Sequence, residues 1–163
     1  MKILLIQTGG SIDKDYPKLT KAYPFEITDP AVEKILGRVS PSFEYKTLPL
    51  LKKDSMDLTE EDRALIVQAC QDAEEDKIII THGTDTMIDS AARLAVITDK
   101  VIILTGSSKP ERFKDSDADF NIGVAVGALE YVPKGVYIAM HGRVLPYDKS
   151  IRELSNGQFV EKQ

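Results

Sequence analysis

Four apolar runs constrain this chain more than any other feature: KILLIQ at 2–7, KIIIT at 77–81, VIILT at 101–105 and GVYIAM at 135–140. Each is continuous rather than alternating, as strands buried on both faces of a parallel sheet are. A weakly alternating segment at 43–50 supplies a further strand. Helix-like patterns fill the spaces between them. Asp29 reads as the cap of PAVEKILGR, with Pro30 at the first helical position. Thr59 reads as the cap of TEEDRALIVQACQDAEE, whose apolar face carries Leu65, Ile66, Ala69 and Cys70. Further helices are predicted at 85–97 and 118–132. The alternation predicts a three-layer α/β domain, flavodoxin-like or Rossmann-like, with five main parallel strands and helices on both sheet faces. The 163 residues suit a single domain spanning 1–163, with a loosely structured tail at about 146–163.

Parallel sheets of this type hold ligands beyond the carboxyl ends of their strands. Four segments fall at that rim: TGGSI at 8–12, KKDSMD at 52–57, THGTDT at 81–86 and TGSSKPE at 105–111. All are rich in Gly, Ser, Thr and Asp, which suits a polar small-molecule pocket. Residues 13–23, DKDYPKLTKAY, are polar and Pro-interrupted and read as an exposed loop or flap.

Charge narrows the partners. A formal net charge of -5 argues against nucleic acid, which needs a concentrated basic face, and no apolar run approaches a membrane span. One Cys and two His offer no metal-ligand spacing, so the reading is a metal-free, cofactor-free cytoplasmic protein. No GxGxxG follows the first strand and no GxxxxGK[ST] occurs, so dinucleotide and ATP fingerprints are both missing. TGGSI retains the capacity to cradle a phosphate at a helix start. It can equally present Ser11 as a nucleophile beside free amides, the arrangement acyl transfer needs. Thr84 and Asp85 stand at a helix start, where amides and macrodipole favour negative charge.

Plainer roles compete for the same residues. Thr84, Asp85 and Thr86 suit helix caps, and Asp117 and Asp119 suit caps of the next helix. His82 has no acid or base partner in the local pattern and reads as a packed, hydrogen-bonded rim residue. Cys70 reads as core.

In order and with plausible spacing, TGGSI, THGTDT and TGSSKPE followed by SDADFNIGVAVGAL resemble the N-terminal domain of bacterial-type L-asparaginases over residues 2–143. The resemblance implies a hydrolase that releases ammonia from L-asparagine or a related small amide. It implies Ser11 as nucleophile, in place of the family's Thr, with Gly10 beside it. It matches the family's flap tyrosine to Tyr23, with Tyr16 second, and its second catalytic Thr and substrate-gripping Asp to Thr84 and Asp85. Ser55 matches a substrate-binding Ser, while Gly83, Gly106 and Ser107 line the pocket through backbone groups.

Two departures accompany the resemblance. Arg152 stands where the family has a Lys, with Lys149 three residues away, and an arginine cannot act as a base near neutrality. The family's second, C-terminal domain has no counterpart among these 163 residues. The expected partners are therefore a small amino-acid substrate and further copies of the chain as a homo-oligomer. Two other readings stand beside hydrolysis: a non-catalytic amino-acid-binding module, and one subunit of a larger amidotransferase.

Overall fold

The computed structural model describes residues 1–17 and 25–162. Among these described residues, ten strands and four α-helices follow one another along the chain. The first strand is β1 (Lys2–Gly9), followed by the two-residue strands β2 (Lys14–Asp15) and β3 (Glu26–Ile27). Next come α1 (Ala31–Val39), β4 (Glu44–Lys53), α2 (Glu60–Asp72), β5 (Lys77–Thr81), α3 (Met87–Leu94), β6 (Val101–Thr105) and α4 (Ala118–Ala128). The chain continues through β7 (Gly135–Met140), β8 (Arg143–Pro146), β9 (Ser150–Arg152) and β10 (Phe159–Glu161).

Six strands form the central sheet in the order β4-β1-β5-β6-β7-β8, parallel except for β8 at the edge. The five parallel strands thus follow the flavodoxin-like order, and strand order reverses between β1 and β5. Register explains why the strands read as continuous apolar runs. Leu5, Ile79, Ile103 and Tyr137 form one row across four strands and pack beneath α1 and α4. One residue on, Ile6, Ile80, Leu104 and Ile138 form the opposite row, beneath α2 and α3. Both faces are covered, so both rows are apolar. Each such side chain contributes about 1.5–3 kcal/mol through burial.

Several local expectations shift. The helix α1 starts at Ala31, with Pro30 as its N-cap, and no side chain of the cap residue closes it. Asp13, eighteen positions earlier, accepts the Ala31 amide at 2.8 Å instead. In α2 the capping box of Thr59 and Asp62 forms as the pattern implies, but Leu65 is exposed while Ile66 and Cys70 are buried. The helix turns Leu65 away from the sheet because only one stripe can face it.

The segment expected to be a loose tail is ordered. The strand β8 extends the main sheet, and β9 and β10 pair as an antiparallel hairpin. Burial of Leu145, Ser150 and Phe159 anchors it, with Phe159 packed into the α2/α3 side of the core. Gly157, at φ +74°, supplies the turn between the two hairpin strands.

Candidate functional site

The carboxyl-end loops pack against one another through their glycines. The strand β1 ends at Gly9 and is followed by Gly10, both at positive φ, which leads into a 3-10 turn over Ser11–Asp13. A Cβ on Gly10 would stand 2.4 Å from the amide nitrogen of Gly83. A Cβ on Gly83 would stand 2.7 Å from Oγ of Ser55, and one on Gly106 would stand 2.3 Å from the carbonyl oxygen of His82. The backbone of the first loop is therefore in direct contact with the THGTDT turn, which in turn touches the loops after β4 and β6. The Glu111 amide donates to the Ile12 carbonyl at 3.1 Å and closes the ring of loops. All four polar rim segments meet where strand order reverses.

Within this rim Gly10 and Gly83 are buried, Ser11 and Thr84 half-buried and Asp85 exposed. Ser55 is 1% exposed. Its amide donates to Asp54 at 2.9 Å, and its carbonyl accepts from the Thr86 hydroxyl at 2.8 Å. Its own Oγ is buried and finds no hydrogen-bond partner among the described residues. Such a group is costly to leave unmatched, on the order of 1–3 kcal/mol. Thr86 consequently does not cap α3: it stands at the N-cap position, but its hydroxyl ties the THGTDT turn to the Ser55 loop.

Arg152 reaches the rim from β9, with Nη1 3.3 Å from Oδ1 of Asp85. Its Nε is buried and unpartnered among the described residues. Lys149 lies in an exposed 3-10 turn, so Arg152 is the cation beside Asp85. A guanidinium offers only N–H donors, so Arg152 serves as a donor and never as a base.

Two buried titratable groups support the loops. Burial pushes the His82 imidazole down to about 4, and the bond to Gly83 only partly opposes it. Burial also pushes the Asp13 carboxyl up to about 6, against the opposing influence of the Ala31 amide, Gln7, Thr81 and the charge of Lys34. Asp13 ties the first loop to α1, and its backbone carbonyl accepts the Thr28 amide at 2.9 Å. Sequence reasoning did not single it out. The available signal was an acidic residue directly behind the apolar Ile12, in a turn leaving a buried strand.

Tyr23 lies outside the described residues. Tyr16, the second candidate, is 51% exposed and stacks on Phe25 with ring centroids 4.7 Å apart. The Arg112 guanidinium lies over the Tyr16 ring, 4.7 Å from its centroid. Tyr16 thus staples the base of the expected flap, where β2 and β3 pair, to the loop after β6. Asp117 does not cap α4 through its side chain but accepts the Ser108 and Lys109 amides at 2.9 and 3.2 Å. Asn121 donates to the Gly106 carbonyl at 3.0 Å, and the Ser107 hydroxyl to the Lys109 carbonyl. The loop after β6 is therefore held from below by α4.

Among the described residues no group of three or more His, Cys, Asp and Glu side chains could hold a metal ion. Among them, too, no helix is long and apolar enough to cross a membrane.

Known proteins share this arrangement. A family model described as "Asparaginase, N-terminal" matches residues 2–158. An L-asparaginase from Thermococcus kodakarensis is 29% identical over 151 residues, covering 89% of this chain and 45% of the relative. A glutamyl-tRNA(Gln) amidotransferase subunit from Methanococcus vannielii is 42% identical over 87 residues, covering 52% of this chain and 20% of the relative. The solved structure of the thermostable L-asparaginase from Thermococcus kodakarensis superposes with a TM-score of 0.85 at 27% identity, covering 99% of this chain and 51% of that one. The chain spans about half or less of the length of these relatives.

Proposed function

This chain belongs to the asparaginase family through its N-terminal region, and from that premise we propose that it is an amidohydrolase releasing ammonia from L-asparagine or a related small amide. The observation that carries the reading is the contact chain Gly10–Gly83–Ser55. It gathers a Ser nucleophile candidate, a Thr/Asp pair and an unmatched buried hydroxyl at the strand-order reversal.

In this reading Ser11 Oγ attacks the amide carbon, the oxyanion forms, and the hydroxyl proton passes by way of Tyr23 and Thr84 to the amide nitrogen. The oxyanion collapses, the C–N bond breaks and ammonia leaves with an added proton. Water then cleaves the acyl-enzyme on Ser11. Tyr23 and Thr84 assist proton movement. Ser55 Oγ donates to the substrate carboxylate, which gives that hydroxyl the partner it lacks among the described residues. Asp85 holds the α-ammonium, beside the Arg152 guanidinium. The chemistry asks for a nucleophile, fixed donors and water, and no cofactor. A cytoplasmic setting and a homo-oligomer that covers the rim belong to the same proposal.

A second reading has a specific observation behind it. Arg152 supplies no base, and a relative 42% identical over 87 residues is an amidotransferase subunit. In that reading the domain binds the amino acid and works only beside a partner protein, or binds without turnover.

Ammonia release from L-asparagine, L-glutamine and succinamic acid decides between them, run beside Ser11→Ala. The hydrolase reading expects turnover by the wild type and its loss in the variant, with L-aspartate still raising the melting temperature of both. Absence of ammonia at millimolar substrate, with aspartate binding intact, would instead support the amidotransferase or binding-module reading.

A further inference from the structure

His82 is completely buried, yet both of its ring nitrogens are engaged. Nδ1 lies 2.7 Å from the carbonyl oxygen of Gly83. A carbonyl only accepts, so the proton of this contact sits on Nδ1. Nε2 then carries a lone pair and accepts from the Ser90 hydroxyl at 2.8 Å. Ser90 is itself buried, in the first turns of α3. The backbone amide of His82 donates to the Thr105 carbonyl at 2.9 Å, which fixes the residue to the neighbouring strand. One imidazole therefore joins the peptide that follows it to the helix that follows the turn. Its burial favours the neutral ring, which is the form able to donate at one nitrogen and accept at the other.

The consequence lies in the peptide between Gly83 and Thr84. A trans peptide is planar, with its N–H directed opposite to its C=O. The Gly83 carbonyl is held inward by a fully buried ring, so the Thr84 N–H is directed away from that ring. Thr84 is half-buried at the rim, and Gly83 itself lies against Ser55 and Gly10. We propose that His82 is a positioning residue: through its bond to the Gly83 carbonyl it aims the Thr84 amide as a fixed donor for an anionic oxygen of the bound amino acid. Ser90 holds the ring in the tautomer that makes this possible. The inference rests on the rim being the amino-acid site, and it adds a residue that never touches the ligand.

The test begins with the wild-type protein, labelled with ¹⁵N histidine. With only two histidines, His141→Gln assigns both sets of ring signals. Long-range ¹H–¹⁵N correlation is expected to show His82 protonated at Nδ1 only. A ring protonated at Nε2 would overturn the proposal. Titration with L-aspartate then follows the backbone amides of Ser11, Ser55 and Thr84. The Thr84 amide proton is expected to move downfield on saturation. Movement at Ser11 and Ser55 without Thr84 defeats the positioning role alone, whereas no response at any rim amide defeats the site reading beneath it as well.

Two variants sharpen the result. The side-chain nitrogen of asparagine lies near the place of Nδ1, that of glutamine near Nε2. His82→Asn should keep aspartate affinity within about threefold, and His82→Gln should weaken it by about tenfold or more. Equal losses in both would mean that the ring only fills space. Should neither variant fold, the wild-type tautomer and the Thr84 response still decide the matter.

Discussion

The two ends of the sheet solve opposite problems. At the amino end, a cavity of about 760 Å³ lies between the starts of β1, β4 and β5, lined by Lys2, Phe43, Tyr45, Lys46, Glu75 and their neighbours. Two of its lysines are paired: Lys2 with Glu44 at 3.7 Å, and Lys46 with Glu75 at 3.0 Å. At the carboxyl end the loops press together until glycine is required, yet Ser55 Oγ and Arg152 Nε remain unmatched among the described residues. Buried donors without partners among the described residues suit a rim built to receive a ligand, whereas the amino end pairs its lysines with glutamates.

The largest effect that can test this contrast is at Gly10. Valine there combines φ +87° with a Cβ 2.4 Å from backbone, and neither can relax without moving the THGTDT turn. Gly10→Val should cost at least about 4 kcal/mol, read from urea unfolding by circular dichroism. A stable variant would mean the loops are not locked together.

Asp13 comes next. Its carboxyl is raised in the fold from 3.8 to about 6, so its stabilising contribution is complete below pH 3.8 and fades as pH climbs through 6. A displacement of that size corresponds to roughly 3 kcal/mol. Asp13→Asn should flatten the fall in stability between about pH 4 and about pH 7.5, measured as the difference in unfolding free energy at those two values. An unchanged slope would place the titration elsewhere.

A smaller effect of the opposite sign is expected at Ser55. Alanine removes an unmatched buried hydroxyl, so Ser55→Ala should stabilise the protein by about 1 kcal/mol while weakening L-aspartate binding about tenfold. Thermal melts and calorimetric titration read the two quantities separately. Lower stability together with unchanged affinity would make Ser55 an ordinary structural serine.

The smallest response belongs to the amino end. Lys46→Ala removes the partner of Glu75 and should lower the melting temperature slightly, with aspartate affinity unchanged. A clear loss of affinity there would erase the distinction between the two rims.

Much of this was readable along the chain. Four of the five parallel strands announced themselves as apolar runs because helices cover both faces, and Thr59 announced α2 because its capping box is local in sequence. The polar loops were legible as a set for a related reason: Gly, Ser, Thr and Asp gather only where a strand ends. The misjudged places have long-range causes. Asp29 and Pro30 looked sufficient to start α1, but its first amide is answered by Asp13 from the neighbouring loop. Thr86 looked like a cap until the Ser55 carbonyl competed for its hydroxyl. The tail looked loose because strands as short as β9 and β10 carry too few residues for a pattern, and the burial of Ser150 and Phe159 orders them.

By itself, then, the sequence determined the fold class, the five parallel strands and the identity of the four rim loops. These follow from periodicity and local turn chemistry, which act over a few residues. Tertiary structure alone decided that Gly10, Gly83 and Ser55 touch, that Arg152 rather than Lys149 stands beside Asp85, and that the His82 ring faces the Gly83 carbonyl. The first two depend on loops and strands distant in sequence meeting at one sheet edge. The third depends on which way a buried ring turns, and no pattern of residue types along a chain encodes that direction.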